Sequence, residues 1–273
     1  MDEKKIQEMT EKGRNFIRSF NEWPEDYQTD QELKKPQPPL AKAPMSETAI
    51  RLPVNYEDLA VDNDFLHVIN SRASHRVYTE EKMSLLQLSC LLWCSQGVKE
   101  IRGKAYATLR TVPCGGARHE FECYMAIQNV EGLEDGLYHY LPLSHSIEKL
   151  PDAEDMRKAV GNSLCEQVWA VKANVVFYYS AVFYRAEWRY GVCAHVPMLI
   201  DAGHITENVY LSAQALGLGG CAVAAVDPAI ANAMFGLDGE EETIFYAMPV
   251  GTVSKDNEKA EQDFYAFVKE QGL

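Results

Sequence analysis

Met198, Ala202, Ile205, Val209, Ala213 and Leu216 recur at spacings of 4, 3, 4, 4 and 3. That is one face of an α-helix, with Pro197 at its opening and Gly217 at its close. Ser84-Leu-Leu-Gln87 has the capping-box form, with Leu85, Leu88, Leu91 and Leu92 behind it. It predicts a helix that runs to Gln96 and stops at Gly97. Residues 2–20 carry many charges, with Ile6, Met9, Phe16 and Ile17 on one face, so a surface helix is expected. Further helices are expected over 64–71, 152–165 and 255–271. Strands are expected over 121–128, 136–140, 174–184 and 243–253, the first two joined by a turn at Glu134-Asp-Gly136. The uncharged stretch 213–226 is broken by Gly217, Gly219 and Gly220. It is too short to span a bilayer and reads as a helix end, a turn and a strand.

Helices and strands alternate irregularly, and the strands include a hairpin. This predicts an α+β fold around a mainly antiparallel or mixed sheet, not a doubly wound parallel one. The segment Pro-Gln-Pro-Pro-Leu-Ala-Lys-Ala-Pro at 36–44 is compatible with neither a helix nor a central strand. It is an extended arm, serving either as a linker or as a wrap over a partner subunit. The expected division is therefore an N-terminal helix and arm over 1–55 and a main domain over 56–273.

Charge narrows the function classes. Lys plus Arg is 26 and Asp plus Glu is 40, a net −14. Such a chain lacks the basic face that nucleic acid requires and gains nothing from an anionic membrane surface. The seven cysteines are odd in number and contain no CxxC, which fits a reduced cytoplasmic setting. The N-terminal stretch MDEKKIQEMTEKGR has no apolar core of the signal-peptide kind.

Two segments depart from this acidic background. Arg72-Ala-Ser-His-Arg76 places two guanidinium groups and a hydroxyl close together with no acid between them. That is either a phosphate clamp or a pair of surface arginines at a helix C-terminus. Residues 101–119 carry Arg102, Lys104, Arg110 and Arg118 and no acid; this is either a basic loop or a second part of an anion site. Within it, Pro113-Cys-Gly-Gly116 is a turn of small residues that lets backbone approach a flat or phosphorylated ligand. Gly217-Leu-Gly-Gly follows a helix and opens a strand, the reverse of a dinucleotide-binding loop. Asp201 and His204 share a helix face, as a local hydrogen bond or a catalytic pair. Cys90 and Cys94 read as core, and no His or Cys spacing suggests a metal. Cys114, with Arg118 near it, is a minor nucleophile candidate.

Five pieces in order carry a resemblance: Arg72-x-Ser74-x-Arg76; Leu92-Trp-Cys-Ser-Gln-Gly97; Arg110-Thr-Val-Pro-Cys-Gly-Gly-Ala-Arg-His119, like a loop RTxPSAGARHP; the 130–140 hairpin; and Asp201-Ala-Gly-His204 with Leu216-Gly-Leu-Gly219 around the long helix. With these the chain resembles the nitroreductase superfamily, and within it the SagB-type dehydrogenase branch, over about residues 29–253. The resemblance implies FMN bound at a homodimer interface. It also implies ping-pong transfer from NAD(P)H to a small-molecule acceptor, with the flavin carrying the chemistry. It further implies that Arg72, Ser74 and Arg76 hold the phosphate, ribityl and ring edge. Pro113, Cys114, Gly115 and Ala117 would reach the same flavin from the other subunit, and Ala224 and Ala225 would approach its ring.

The chain departs from that pattern in four places. Cys114 replaces the loop serine, and Ala224-Ala225 replaces a Glu-Gly pair. Lys255 is the sole candidate to complete the phosphate site. Arg189-Tyr190 stands where azoline-oxidising members have Lys-Tyr, and an arginine does not serve readily as a base. The expected function is thus an FMN-dependent NAD(P)H oxidoreductase. The alternatives are a flavin-binding sensor or store without turnover, and an azoline-type dehydrogenase in peptide maturation.

Overall fold

A computed structural model describes residues 2–254, 258–264, 266 and 270. Along them run α1 (Glu3–Arg18), β1 (Ala49–Arg51), α2 (Phe65–Ser71), α3 (Leu85–Gln96), β2 (Val98–Arg102), β3 (Ala107–Arg110), β4 (Phe121–Ile127), β5 (Gly136–Leu141), β6 (Ser146–Lys149), α4 (Met156–Ser163), β7 (Val175–Val182), α5 (Phe183–Tyr190), α6 (His195–Ala215), β8 (Leu218–Gly220), α7 (Pro228–Phe235), β9 (Glu242–Thr252) and α8 (Glu258–Phe264). Seven strands form one sheet in the order β1-β6-β5-β4-β7-β9-β8, and β2 with β3 makes a separate hairpin. Every neighbouring pair is antiparallel. The chain is therefore α+β, as its pattern predicts.

The central strand β7 explains the layering. Val175, Phe177, Tyr179 and Ala181 enter a core shared with α3 and α6, whereas Val176 and Tyr178 enter one shared with α4 and α7. Helices cover both faces, so the strand needs no polar alternation and reads as a continuous apolar run. The α6 stripe from Met198 to Ala213 is buried against the sheet and against Leu88, Leu91 and Leu92 of α3. The Ser84–Gln87 capping box is present in both directions. Helix α6 opens at His195, which leaves Pro197 in its first turn, where a missing N–H costs nothing.

Some boundaries differ from expectation. Helix α4 starts at Met156 because Asp155 caps it by accepting from Lys158 N. The strand expected over 174–184 ends at Val182. Phe183 and Tyr184 instead open α5, whose inner face buries Arg185, Ala186 and Trp188. Aromatic residues suit a pleated surface and a helix face alike, so the pattern ran the two elements together. The basic stretch after 100 is the β2–β3 hairpin, turned through Gly103 and Ala105 at positive φ. The short β1, β6 and α7 carry no readable period. Lys255 and part of the expected 255–271 helix lie outside the described residues. No described helix is long and apolar enough to cross a membrane.

The proline-rich arm lies on its own chain. Gln31 N donates to Trp188 O at 2.8 Å, and Trp188 Nε1 donates to Lys35 O at 3.1 Å. Further along, Lys42 N donates to Glu122 at 2.8 Å, and Met45 N and Ser46 N donate to Glu148 at 2.9 and 2.7 Å. Strand β1 then joins the sheet edge beside β6, so the boundary expected at residue 55 crosses a single sheet. A buried ionic row anchors this arm. Arg185 meets Glu122 at 2.5 Å; His139 meets Glu122 at 3.3 Å and Glu148 at 2.7 Å.

The row predicts a pH optimum for stability. Burial works against the Glu122 charge, but Arg185 and then His139 outweigh it and hold the carboxyl well below its usual range. Burial likewise opposes charge on His139, but Glu122 and Glu148 outweigh it and raise the imidazole above its ordinary 6.5. A depressed carboxyl contributes above its unfolded pKa and loses that as pH falls through the folded one; a raised imidazole contributes below its unfolded pKa and loses that as pH rises through the folded one. The melting temperature is therefore expected to be highest between the ordinary carboxylate value of 4.5 and the ordinary imidazole value of 6.5, and to fall as pH rises through the folded-state pKa of His139. His139→Gln should flatten the alkaline side of the profile in scanning calorimetry. An unchanged alkaline limb in that variant would contradict the assignment.

Candidate functional site

Helix α2 is capped by Asp64, whose carboxylate accepts from Leu66 N and His67 N at 3.0 Å. It ends at Arg72, and the chain then runs extended along β8. Ser74 bridges Gly220, and His75 N donates to Gly220 O at 3.0 Å. Gly219 permits this approach, since a Cβ there would lie 2.7 Å from His75 Cβ. Tyr210 of α6 organises the side chains. Its hydroxyl accepts from Ala222 N at 2.7 Å and shares a hydrogen bond with Ser74 Oγ at 3.2 Å. The Arg72 guanidinium lies over its ring at 5.2 Å, and that of Arg76 lies over Trp169 at 5.6 Å. Ala224 and Ala225 lie two and three residues beyond this tyrosine-tied amide and are exposed.

A cavity of about 870 Å³ opens here, lined among others by Ser71, Ser74, His75, Gly217 and Glu261. The amides of Arg76 and Val77 both donate to Glu261 Oε1, at 2.8 and 2.9 Å. This strand end therefore already holds an anionic oxygen. Of the three, Ser74 lines this cavity, whereas the Arg72 and Arg76 side chains flank the segment over Tyr210 and Trp169; Ala224 and Ala225 lie on the segment that follows Ala222.

The second group assembles elsewhere. After β3, Pro113, Cys114, Gly115 and Ala117 form a tight turn, with Gly116 and Ala117 at φ 56° and 52°. Asp201 of α6 fixes it by accepting from Gly115 N at 2.8 Å. Arg189 and Tyr190, at the end of α5, pack directly on it. A Cβ on Gly116 would lie 2.4 Å from Arg189 Nε and 2.6 Å from the Tyr190 hydroxyl. Burial lowers the Arg189 pKa, but the Tyr190 and Tyr106 hydroxyls outweigh that, so Arg189 stays cationic. Asp201 and Tyr210 are nine residues apart on α6, which at ~1.5 Å per residue separates the two groups by about 14 Å.

The basic residues of 101–119 do not converge on a ligand. Arg110 is buried and donates to Gln96 Oε1 at 2.6 Å and Leu40 O at 3.1 Å. Arg118 donates to Gly116 O and Tyr106 O, both at 3.0 Å. Cys114 is not the activated nucleophile that a nearby Arg118 suggested. Burial, then the charges of Glu120 and Asp201, push its thiol up. Its Sγ donates to Glu120 Oε2 at 3.2 Å and accepts from His119 N at 3.0 Å. Burial, followed by the Asp201 charge, raises Glu120 itself to about 7. His204 contacts Asp201 at 3.3 Å, the local hydrogen bond that their spacing allowed. Tyr210, Glu120 and Glu261 are absent from the sequence reading. Each acts across a long sequence separation, and none sits in a spacing that marks it.

Known proteins resemble this chain in sequence and in fold. The model of the "Nitroreductase family" matches residues 69–252. A Methanocaldococcus jannaschii protein named "Putative nitroreductase MJ1384" is 33% identical over 158 residues, covering 58% of this chain and 77% of that protein. "Trifolitoxin-processing protein TfxB" of Rhizobium leguminosarum bv. trifolii is 30% identical over 133 residues, covering 47% of this chain but only 36% of its own length. Among solved structures, a "putative nitroreductase" from Ralstonia eutropha JMP134 superposes with a TM-score of 0.60 at 22% identity, covering 81% of this chain and 95% of the other. That last likeness concerns the fold.

Proposed function

This chain belongs to the nitroreductase family, and from that premise we propose that it is an FMN-dependent oxidoreductase of the SagB-type branch, passing electrons from NAD(P)H to a small organic acceptor. The carrying observation is the extended segment 72–77, which lines a cavity of about 870 Å³ with Ser74 and presents the Arg76 and Val77 amides to a carboxylate oxygen of Glu261. That size suits a cofactor site, and the donor set suits a phosphate-bearing ligand. FMN, when bound, supplies the hydride chemistry.

The chain's own residues position and shield. Arg72 and Arg76 offer positive charge, and Ser74 and Tyr210 offer hydroxyl donors. The turn Pro113–Ala117 of a second copy completes the site, because one chain keeps the two groups apart. The working unit is accordingly a homodimer. The seven cysteines, all free among the described residues, suit a reducing cytoplasm.

The test is an absorbance spectrum of the purified protein before and after anaerobic NADH and then NADPH. Oxidised-flavin bands that bleach are the expected result. Bands that neither nucleotide bleaches would favour a flavin-binding module without turnover, and a chain that takes up no FMN on reconstitution would overturn the reading.

A second reading has a specific support. Arg189 and Tyr190 pack on the Gly115–Gly116 turn, and the chain matches a peptide-processing protein over 133 residues. Azoline oxidation at this turn would have to use Tyr190, since Arg189 stays cationic. Failure to oxidise a thiazoline peptide, with the flavin otherwise reducible, would remove this reading and leave the first intact.

A further inference from the structure

Behind the Pro113–Ala117 turn, three side chains able to ligate a metal converge, two from the loop after β3 and one from α6. Cys114 Sγ, a Glu120 carboxylate oxygen and an Asp201 carboxylate oxygen all lie within 4.8 Å of one another. Among the described residues no other His, Cys, Asp and Glu group meets that criterion. The place is interior: Glu120 is 1% exposed and Asp201 5%. Two carboxyl groups packed together away from water cannot both carry charge unless something positive lies between them.

Glu120 shows the gap. Its Oε2 takes the hydrogen of Cys114 at 3.2 Å, but its buried Oε1 has no hydrogen-bond partner. A carboxylate oxygen of Asp201 lies within 4.8 Å of one of its own. A buried carboxylate oxygen without a donor costs a few kcal/mol, so an unpaired one beside a second carboxylate marks a position for a cation.

We propose that Cys114, Glu120 and Asp201 bind one divalent cation of the zinc class. The donor set is one sulfur and two oxygens. A thiolate selects Zn²⁺ or Co²⁺ over Mg²⁺ and Ca²⁺, which prefer oxygen alone. In a tetrahedral site, with Zn–S of about 2.3 Å and Zn–O of about 2.0 Å, neighbouring donors lie roughly 3.5 Å apart. The Sγ–Oε2 separation of 3.2 Å is close to that edge.

The surroundings hold the donors in place. His119 N donates to Cys114 Sγ at 3.0 Å, and Gly115 N donates to Asp201 Oδ2 at 2.8 Å. His204 Nδ1 lies 3.3 Å from Asp201 Oδ1, the usual orienting partner of a liganding carboxylate. A bound cation would tie the turn to α6 and so fix the backbone that carries Gly115. The ligands sit at 114, 120 and 201, which is why no metal-binding spacing is visible in the sequence.

The test titrates Co²⁺ and then Zn²⁺ into the full-length protein after chelator treatment, read as difference spectra against the same protein without metal. One Co²⁺ per chain is expected, with a thiolate-to-cobalt charge-transfer band that Zn²⁺ abolishes. Cys114→Ser should remove the band, whereas the double change Cys90→Ser with Cys94→Ser should leave it. Glu120→Gln, nearly the same shape, should weaken binding at least about tenfold, with circular dichroism confirming that the variant folds. A band that survives Cys114→Ser, or is lost with Cys90 and Cys94, would place the cation elsewhere and overturn the proposal. No Co²⁺ binding at all, or binding indifferent to Glu120→Gln, would mean that a shared proton alone reconciles the two carboxyls.

Discussion

Arg72→Ala is expected to weaken FMN binding by roughly 1.5–3 kcal/mol, the scale of a lost charge-assisted hydrogen bond. At about 1.4 kcal/mol per decade, the dissociation constant should rise on the order of ten- to a hundred-fold. The geometry makes this a clean probe. Arg72 lies at the C-terminal end of α2, partly exposed, with its guanidinium over the Tyr210 ring at 5.2 Å. Removing it forfeits that ring contact, worth about 0.5–1 kcal/mol at an exposed site, so the fold should survive. Ser74, held through the Tyr210 hydroxyl and the Gly220 bridge, should keep its place. Fluorescence titration of the flavin-free protein measures the affinity, and a thermal melt checks the fold. An affinity within twofold of the parent would break the assignment of this strand to the phosphate end of FMN.

What was legible in the sequence follows from how local each feature is. The α6 stripe and the Ser84–Gln87 cap are set by spacings within one element, and both form as expected. The Arg72–Arg76 cluster and the Pro113–Ala117 turn are contiguous motifs, so they could be picked out before any fold was known. Tyr210 could not. It is one of fourteen tyrosines, and only the folding of β8 back along α6 brings its hydroxyl to Ser74 and Ala222 N. Arg110 and Arg118 failed in the opposite sense. Charge counting left them as a basic loop or as part of an anion site, yet both are buried and occupied by backbone and glutamine oxygens. A long cationic side chain serves as well to satisfy orphan carbonyls inside a fold as to meet an anion outside it. Glu122, His139 and Glu148 were likewise invisible. They alternate with apolar residues on β4, β5 and β6, and their partners are one another across the strands together with the arm and α5 above them.

Arg185→Ala is expected to be the most damaging single change to stability, costing about 3–5 kcal/mol. Arg185 and Glu122 are both buried, 4% and 1% exposed, and meet at 2.5 Å. The loss is not the attraction itself, since much of it is offset by the desolvation of both groups. It is the carboxylate left in the interior with His139 and one arm amide as its remaining partners. A chain of this length should then melt on the order of 10 °C lower. The double change Arg185→Met with Glu122→Met should recover most of that, because it removes the stranded charge together with its partner. The functional consequence follows from position. Helix α5 carries Arg189 and Tyr190 one turn beyond Arg185, and these rest on the Gly116 turn. The arm hangs on the same Glu122 through Lys42 N. Arg185→Ala should therefore open residues 29–46 to limited proteolysis while leaving the Arg72 strand, on the far side of α6, able to take up FMN. Chemical denaturation measures the first effect and time-resolved digestion the second. A loss below about 1 kcal/mol, the scale of a surface ion pair, would show that the buried row does not anchor the arm.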